Sequence, residues 1–361
     1  MVNFDRAWFV AAALPVAGCL EGGDISLGEI PAPGGGISDD AASDAASEAS
    51  GCVNGEAVSG ERAALLSEAV GFAAEVTGGR EGCMYHVTSL GDSGPGTLRD
   101  GAERAEPLWI VFDVSGQIDL TSSVDVRSNK TLDGRGQSVT VHDYGLSIVG
   151  PTSNVVVENL AFVGTGSGAS NDAIHIASGS RLVWVDHCSL SHYGDGLIDV
   201  TQAATDITVS WSHFFDHDLV MLLGAGVDDT ADVDIRVTLH HNYWDQTGNY
   251  APRLRFGRAH LFNNLVARWS DGAASTTMGG QIASEANVFA AGDNVHAIRT
   301  SAGADTTPGA ARSSGDLLLS GAAVEENDPD TVFHASDLYG YDAEVATSAL
   351  QDEIASNAGA R

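Results

Sequence analysis

Positive charge is scarce in this chain. Its 361 residues include 17 lysine and arginine residues against 49 aspartate and glutamate residues, which gives a formal net charge of −32. A surface of this sign repels polyanions at long range, so nucleic acid is not an expected partner. A negatively charged ligand needs a local group of cations or a bound metal ion instead. The segment QTGNYAPRLRFGRAH, residues 246–260, supplies such a group with Arg253, Arg255 and Arg258.

Long apolar runs are also missing. The apolar run of residues 7–18 is too short to cross a bilayer as a helix. It ends in the sequence VAGC at Cys19, and small residues before a cysteine resemble a bacterial lipobox. We therefore expect residues 1–19 to be a lipoprotein-type signal peptide with a lipid on Cys19; the alternative is a buried N-terminal segment. The expected location is extracellular or at the cell envelope, with the membrane contacted only through the lipid anchor.

The segment after Cys19 has no lysine or arginine at all between residues 21 and 60. Glycine, serine, alanine, proline and acidic residues dominate it, as in PAPGGGISDDAASDAASEASG. Such a composition buries too little apolar surface to offset the entropy of ordering the chain. We therefore expect residues 20–60 to be a disordered acidic linker that tethers one folded domain, residues 61–361.

Cysteine is rare, with four residues at positions 19, 52, 83 and 188. With Cys19 assigned to the lipid, the other three cannot all pair. We predict a disulfide between Cys52 and Cys83, because both flank the start of the domain in an exported chain. Cys188 lies between apolar positions, and we interpret it as a small buried hydrophobic residue rather than a reactive thiol.

Helical periodicity is weak, and short alternating apolar segments take its place. Six of them recur at spacings of 28, 25, 30, 22 and 23 residues if these positions are equivalent: Asn159, His187, Ser212, Asn242, Asn264 and Asn287. Repeats of this length indicate a solenoid, and the period of two indicates strands. Stacked parallel coils would bury every inward side chain against the coils above and below. Asparagine suits the repeated turn, because it tolerates the left-handed conformation and its amides can form a ladder.

Several motifs point to one family. They follow in order along the chain: VTGGREG, YHVTSLGDSGPGTLRDG, IVFDVSGQIDL, NKTLDGRG, VWVDHCSLS, DGLIDV, ITVSWSHFFDHDLVMLLG and APRLRFG. Together they resemble the pectate lyase family of polysaccharide lyases. The resemblance implies an all-β fold, a single-stranded right-handed parallel β-helix, in a secreted enzyme. It also implies cleavage of polygalacturonate or a related acidic polysaccharide by calcium-assisted β-elimination, and we expect a monomer.

Three aspartates match the calcium positions of the resembling family: Asp172 in NDAIHI, and Asp195 and Asp199 in DGLID. Calcium prefers several carboxylate oxygens and can bridge protein and substrate. It would stabilise the negative charge that forms when the proton beside the uronate carboxylate is removed. Asp195 and Asp199 share a face of an extended strand, and a neighbouring coil can bring Asp172 beside them. A fourth family acid is replaced by Ser170.

The basic segment matches the catalytic motif of the family in part. The family has Arg-x-Pro, whose arginine removes the proton, and a second arginine three residues after the proline. Pro252 and Arg255 match this pattern, and Tyr250 replaces the first arginine. The resemblance makes Tyr250 and Arg255 the catalytic candidates, with Arg253 and Arg255 as ligands for a substrate carboxylate. Tyrosine could act as a phenolate base beside the neighbouring arginines, or it could only pack against a sugar.

Two further positions depart from the family pattern and leave the function open. Leu219 stands where the family has a lysine for substrate, and Thr201 stands where many bacterial relatives have lysine. A calcium-dependent lyase with an altered base is the first hypothesis. A non-catalytic β-helix that binds an acidic glycan and a lyase that acts on methyl-esterified pectin are the alternatives.

Four histidines are interpreted as structural rather than catalytic or zinc-binding. An Asp-His pair in an alternating strand is more often hydrogen-bonded at a turn than catalytic, and this applies to Asp186 with His187 and to His217 with Asp218. The pair at positions 240 and 241 lacks the spaced cysteine or acidic partners of a zinc site.

Overall fold

Short parallel strands are the main regular elements of this chain. The computed structural model describes three stretches: residues 55–166, 171–301 and 303–361. The predicted signal peptide, Cys19, Cys52 and most of the predicted linker lie outside them. The end of that linker, residues 55–60, is part of the fold, because Ala57 forms a β-bridge with Cys83 and Ser59 caps the first helix.

Three sheets contain these strands. The first sheet has ten strands: β1 Cys83–Val87, β2 Leu108–Phe112, β5 Lys130–Asp133, β8 Ser153–Glu158, β11 Arg181–Asp186, β14 Thr205–Ser210, β17 Arg236–His240, β20 Arg258–Phe262, β23 Gln281–Glu285 and β26 Ala310–Ser314. The second sheet has nine: β4 Val124–Asp125, β7 Leu146–Ile148, β10 Ile174–Ile176, β13 Ile198–Val200, β16 Met221–Leu223, β19 Arg253–Arg255, β22 Ala274–Thr277, β25 His296–Arg299 and β28 Ala323–Val324. The third sheet also has nine: β3 Gly116–Asp119, β6 Val139–His142, β9 Ala161–Val163, β12 Ser189–Ser191, β15 His213–Leu219, β18 Tyr243–Asn249, β21 Leu265–Ala267, β24 Val288–Ala290 and β27 Leu317–Leu319.

The strand order shows how the chain winds. Within each sheet, neighbouring strands from β3 onward are three apart in the chain, so each coil contributes one strand to every sheet. The paired strands are parallel throughout. The fold is therefore a right-handed parallel β-helix of about ten turns, and the fold class predicted from the sequence is confirmed.

The core fills the inside of the helix. Inward side chains of successive coils stack in columns, and one column of the first sheet includes Val157, Val185, Val209, Leu239 and Leu261. All five are buried. Each buried Val or Leu side chain contributes about 1.5–3 kcal/mol, so the alternation seen in the sequence is what drives the coils to stack.

A ladder of asparagine side chains runs inside the turn after the first sheet. Asn242, Asn264 and Asn287 donate and accept side-chain hydrogen bonds from coil to coil, and Ser212 and Cys188 continue the ladder toward the N-terminus. The predicted register was wrong at its first two positions. The strand pairing aligns Asn159 and His187 with the residue before the ladder, because Glu158, Asp186 and Ser210 are register partners.

The residue before the ladder is the one that turns the chain. It has a positive φ in seven consecutive coils: Asn159, His187, Trp211, His241, Asn263, Ala286 and Gly315, at 56, 47, 44, 54, 49, 50 and 69°. The left-handed conformation that the sequence analysis assigned to the ladder asparagines therefore belongs to their predecessors. The ladder asparagines instead satisfy buried backbone groups, such as the Leu239 carbonyl that accepts from Asn264.

Helices are short and lie outside the coils. The α-helices are α1 Gly60–Ala63, α2 Leu98–Ala102 and α3 Ser348–Asn357, and the 3₁₀ segments are Ala64–Glu68, Gly71–Ala73, Thr230–Asp234, Pro329–Thr331 and Ala335–Asp337. Helix α3 packs Leu350 and Ile354 against Leu265 and Val288 of the third sheet. Among the described residues, no helix is both long and apolar enough to cross a membrane.

The C-terminal region corrects one expectation. The repeated pattern fades after residue 295, which predicts loops and a cap, yet β25 to β28 continue the coils to Val324. Asp316 takes the ladder position there, because its Oδ1 accepts from the Asn287 side chain at 3.1 Å. Cys188 is a free, buried thiol, as predicted. Cys83 is disulfide-bonded, and its predicted partner Cys52 lies outside the described residues.

Candidate active site

The three predicted calcium ligands come from adjacent coils of the second sheet. Asp172 precedes β10, Asp195 precedes β13, and Asp199 is the middle residue of β13. Asp199 pairs in register with His175 of β10. Asp172 accepts hydrogen bonds from the Gly196 N–H at 2.8 Å and contacts His175 Nδ1 at 2.9 Å. The fold therefore brings these carboxylates to one end of two neighbouring strands.

Excess negative charge marks this acidic cluster, which we define as Asp172, Asp195 and Asp199. Burial raises the pKa of Asp199 well above its usual value, and repulsion from Asp172 adds to the effect. Burial and Asp172 also raise the pKa of Asp195. Within the described part of the chain, no lysine or arginine forms a salt bridge with these acids. A divalent cation would relieve the repulsion between them.

The space between the carboxylates depends on Gly196. A Cβ atom built on this residue would collide with Asp199 Oδ1 and would lie 3.3 Å from Asp172 Oδ1. The acidic cluster is nevertheless spread out. Among the described residues, the groups whose ligand atoms all lie within 4.8 Å of one another are Asp119 with His142 and Asp143, and Glu158 with Asp186 and His187. The acidic cluster thus has the donor chemistry for calcium but is not closed around a metal-sized point.

His217 supports the cluster from the third sheet. Its Nε2 lies 2.6 Å from the Asp195 carbonyl oxygen, a hydrogen bond that fixes the backbone of Asp195. Burial lowers the pKa of His217 below its usual value, so the neutral imidazole is favoured. Sequence reasoning gave His217 a structural role with Asp218 and missed this contact, because it joins two coils 22 residues apart.

The basic segment turns between the third and second sheets. Tyr250 lies in the turn between β18 and β19 with φ at 60°, and the Ala251-Pro252 peptide is cis. The Tyr250 hydroxyl oxygen accepts a hydrogen bond from Arg253 Nη1 at 2.6 Å, and the guanidinium carbon lies 5.0 Å from the ring centroid. This double contact holds the phenol hydroxyl at a fixed place beside β19.

Arg253 and Arg255 share one carboxylate, which belongs to Asp305. Asp305 Oδ2 lies 3.0 Å from Arg253 Nη2 and 2.9 Å from Arg255 Nε, and it accepts from the Thr277 hydroxyl at 2.7 Å. Burial alone would raise the pKa of Asp305, but hydrogen bonds from Thr277, Arg253 and Arg255 outweigh it and hold the pKa below its usual value. Sequence reasoning missed Asp305, because it lies in a later loop that no motif marks.

The predicted basic patch of residues 253–258 is divided by the fold. Arg253 and Arg255 belong to β19 of the second sheet, whereas Arg258 begins β20 of the first sheet. Arg258 is exposed and its guanidinium carbon lies 5.7 Å from the Phe333 ring centroid. The patch at the site therefore consists of Arg253 and Arg255 alone, and Arg258 lies on another sheet.

Strand pairing relates the two halves of the site. Asp199 is the register partner of Leu222, and Leu222 is the register partner of Arg253. Register partners in parallel strands lie on the same face, and neighbouring strands are about 4.8 Å apart. Asp199 and Arg253 are therefore about 10 Å apart on one face of the second sheet. Leu222 lies between them on this face.

The structure also shows the two other positions at which the sequence departs from the family pattern. The Leu219 side chain is 40% exposed at the end of β15, so an apolar group stands where the resembling family has a lysine. Thr201 is buried after β13. The predicted pair of Asp186 and His187 is present on the first sheet, with His187 Nδ1 2.7 Å from Asp186 Oδ2. It lies on a different sheet from the acidic cluster.

Comparison with known proteins identifies the family. A family model described as pectate lyase matches residues 110–361. A putative pectate lyase 21 of Arabidopsis thaliana is 38% identical over 247 residues, 64% of this chain and 63% of that protein. Pectate lyase 5 of Ambrosia artemisiifolia is 34% identical over 339 residues, 86% of this chain and 85% of that protein. The Arabidopsis match thus spans less than two thirds of that relative's own length.

Solved structures agree with this fold. The crystal structure of jun a 1, the major allergen from cedar pollen, matches with a TM-score of 0.74 and 30% identity, over 83% of this chain and 95% of that one. A Bacillus pectate lyase in complex with trigalacturonate matches with a TM-score of 0.65 and 22% identity, over 80% of this chain and 98% of that one, which supports the fold. The fold and the site define a parallel β-helix protein that carries an acidic cluster beside a pair of arginines. The chain belongs to the pectate lyase family.

Proposed function

We propose that this protein is a lyase that cleaves polygalacturonate or a related uronate polysaccharide by calcium-assisted β-elimination. The observation that carries the proposal is the face of the second sheet on which the acidic cluster and the Tyr250–Arg253–Arg255 group stand two strands apart. A uronate polymer carries both the carboxylate that a cation would bind and the acidic proton that a base would remove. The match to a pectate lyase solved with trigalacturonate supports this substrate class.

Each group has a separate task in the proposed reaction. Asp172, Asp195 and Asp199 would hold calcium, which supplies charge neutralisation at the substrate carboxylate when bound. Tyr250, acting as its phenolate, would remove the proton from the carbon next to that carboxylate. The glycosidic oxygen on the adjacent carbon would leave as the double bond forms and would take up a proton from water. Arg253 would hold the Tyr250 hydroxyl in position, and Arg255 would orient the substrate.

The non-catalytic alternative is favoured by a single observation. Arg253 and Arg255 are already paired with Asp305, so the site offers less free positive charge than the sequence suggests. A β-helix that binds an acidic glycan without cleaving it would tolerate this arrangement. The acidic cluster favours the lyase, because a binding protein has little need for three adjacent acids facing a polyanion.

The proposal also places the protein outside the cell or at the cell envelope. Its N-terminal cysteine, Cys19, would carry the lipid, and the folded domain would act as a monomer in contact with an extracellular polysaccharide. Mass spectrometry of the native protein tests this part, since a lipid-modified N-terminal peptide beginning at Cys19 is expected and an intact peptide beginning at Met1 contradicts it.

The test of the reaction is direct. The purified protein is incubated with polygalacturonate, methyl-esterified pectin or alginate, each with calcium and with a chelator, and the ultraviolet absorbance of the unsaturated product is followed. We expect product from polygalacturonate or pectin only with calcium. No product on any glycan, together with measurable glycan binding, would support the non-catalytic alternative.

Tyr250 is tested by removing its hydroxyl. Because a positioned base contributes about 10²–10⁴-fold, Tyr250→Phe should lower turnover by at least about a hundredfold while calcium binding persists by calorimetry. Tyr243→Phe is the matched control, since it removes a hydroxyl from β18 on the third sheet. Equal, substantial activity in the parent and Tyr250→Phe excludes Tyr250 as the base and points to Arg253. Tyr250→Arg restores the family residue and should retain or raise activity.

A further inference from the structure

Asp305 occupies the centre of the arginine pair. Its side chain is 5% exposed, and its Oδ2 receives the Arg253 Nη2, Arg255 Nε and Thr277 Oγ1 contacts described above. Both guanidinium groups are themselves largely buried, with side-chain exposures of 10% and 11%. A carboxylate with these donors has the environment that a substrate carboxylate would require.

The guanidinium group of Arg255 is fully occupied by contacts within the protein. Its Nε donates to Asp305 Oδ2 at 2.9 Å, and its Nη2 lies 3.5 Å from Asp305 Oδ1. Its Nη1 donates to the carbonyl oxygens of Gly224 and Ala225 at 3.2 and 2.9 Å. All three nitrogens of the guanidinium group are engaged. A uronate carboxylate would need two parallel N–H groups from one edge of the fork, and Asp305 already faces that edge.

The loop that carries Asp305 is attached to the coils on its C-terminal side. Met278 N–H donates to the Thr307 carbonyl at 2.7 Å, and Gly279 N–H donates to the Pro308 carbonyl at 3.1 Å. Pro308 also forms a β-bridge with Thr277, the residue whose hydroxyl contacts Asp305. The carboxylate is therefore placed by a segment fixed to the second sheet.

The charge balance determines which ligand suits this subsite. A free uronate carboxylate that approaches Arg255 meets both the guanidinium group and the negative charge of Asp305. A methyl-esterified residue carries no charge and meets no such repulsion, while its carbonyl can still accept a hydrogen bond. Leu219 adds no cation at the site, and its side chain is exposed. Specificity often depends on a repulsive element of this kind.

We propose that Asp305 is a specificity-determining residue that stands in for a substrate carboxylate on Arg253 and Arg255. It shifts the preference of the site from fully ionised polygalacturonate toward methyl-esterified uronate residues at this position. The inference rests on the proposed function only in requiring that this site binds a uronate polysaccharide. It does not require that the bound polysaccharide is cleaved.

The experiment compares two ligands and two variants. Binding of trigalacturonate and of its methyl ester is measured by calorimetry in calcium for the parent, Asp305→Asn and Asp271→Asn. Asp271 is the matched control, because it is an exposed carboxylate that pairs with Arg299 and Asn249 and makes none of the contacts to Arg253 or Arg255. We expect Asp305→Asn to bind trigalacturonate about tenfold more tightly or better, because a charged competitor is removed.

The methyl ester provides the internal comparison. Its affinity should change by less than about twofold in Asp305→Asn, and Asp271→Asn should change neither affinity by more than that. Weaker trigalacturonate binding by Asp305→Asn overturns the inference, because it would mean that Asp305 positions the arginines for substrate. An equal gain for both ligands, or the same gain in Asp271→Asn, also overturns it.

The parent protein supplies a measurement that does not depend on the variant folding. It should bind the methyl ester at least as tightly as trigalacturonate, and salt should weaken the discrimination between the ligands. A parent that prefers trigalacturonate by more than tenfold overturns the inference, as does a failure of both parent and folded Asp305→Asn to bind either ligand. If the protein binds with the predicted preference but forms no unsaturated product, this inference is supported and only the proposed lyase reaction is excluded.

Discussion

Replacing Asn264 with alanine should destabilise the protein far more than a typical substitution. The side chain is buried in the middle of the ladder. Its amide nitrogen donates to the Leu239 carbonyl at 2.8 Å and to Asn287 Oδ1 at 2.9 Å. Its Oδ1 accepts from the Asn242 backbone at 3.0 Å and from the Asn242 side chain at 3.1 Å. Alanine removes all four hydrogen bonds and supplies none.

The magnitude follows from these contacts. A net contribution of about 1 kcal/mol per hydrogen bond gives a loss of about 4 kcal/mol in the free energy of unfolding, against about 1 kcal/mol for an average substitution. The measurement is the urea midpoint, read with the slope of the transition. Asn294→Ala is the control, because Asn294 lies in an outer turn and accepts one hydrogen bond from the His296 backbone. It should cost no more than about 1 kcal/mol.

Equal losses in the two variants would refute the reasoning. Such a result would mean that the ladder amides are exchanged for water without net cost, or that the coils relax to satisfy the freed groups. A loss of about 4 kcal/mol in Asn264→Ala alone would show that a single ladder side chain joins three coils energetically, as expected when neighbouring repeats share most of the stability.

Two further predictions concern carboxylates. Burial raises the pKa of Glu158 well above its usual value, and Asp186 adds to this, so the folded state binds the proton more tightly than the unfolded chain. The stability that this proton contributes is complete below the unfolded pKa of about 4.3 and is lost as pH rises toward the folded pKa. The melting temperature of Glu158→Gln should therefore fall less with rising pH than that of the parent. Parallel curves of melting temperature against pH would contradict this. Gly196→Ala should abolish calcium-induced stabilisation, because the new Cβ collides with Asp199 Oδ1. The control Gly340→Ala should leave that stabilisation unchanged, because a Cβ atom there has no neighbour within 4 Å. Calorimetry with calcium checks both variants, and normal calcium binding by Gly196→Ala would exclude this geometry.

The coils of this fold can be predicted from the sequence, because the pattern that forms them repeats along the chain. The period of two within segments and the recurrence of the segments both arise from one physical requirement, that every coil bury the same face. The register fails at Asn159 and His187 for a related reason. Chemistry alone aligns them with Asn242, but the left-handed turn position admits asparagine, histidine and tryptophan alike, as Trp211 shows. Residue type does not distinguish the turn position from the ladder position beside it.

The candidate site follows from sequence only where it is carried by strands. Asp199 and Arg253 occupy equivalent register positions, so the solenoid places them on one face. Arg258 leaves the site because the chain turns at Gly257, where φ is 39°. Asp305 belongs to a loop between coils, and no periodicity specifies which earlier side chains such a loop contacts. The contacts of loop residues depend on the path of the backbone, which the alternation of side chains does not encode.

Because each coil adds one strand to every sheet, distances along the second sheet are counted in whole strands. The acidic cluster and Arg253 are separated by β16 alone. Gain or loss of a coil between β13 and β19 would leave the core columns intact but would move the two halves of the site by about 4.8 Å. Coils before β7 or after β26 can change in number without altering that separation. The separation of the two halves of the site is therefore set by the coil count between β13 and β19 and not by the number of coils at either end.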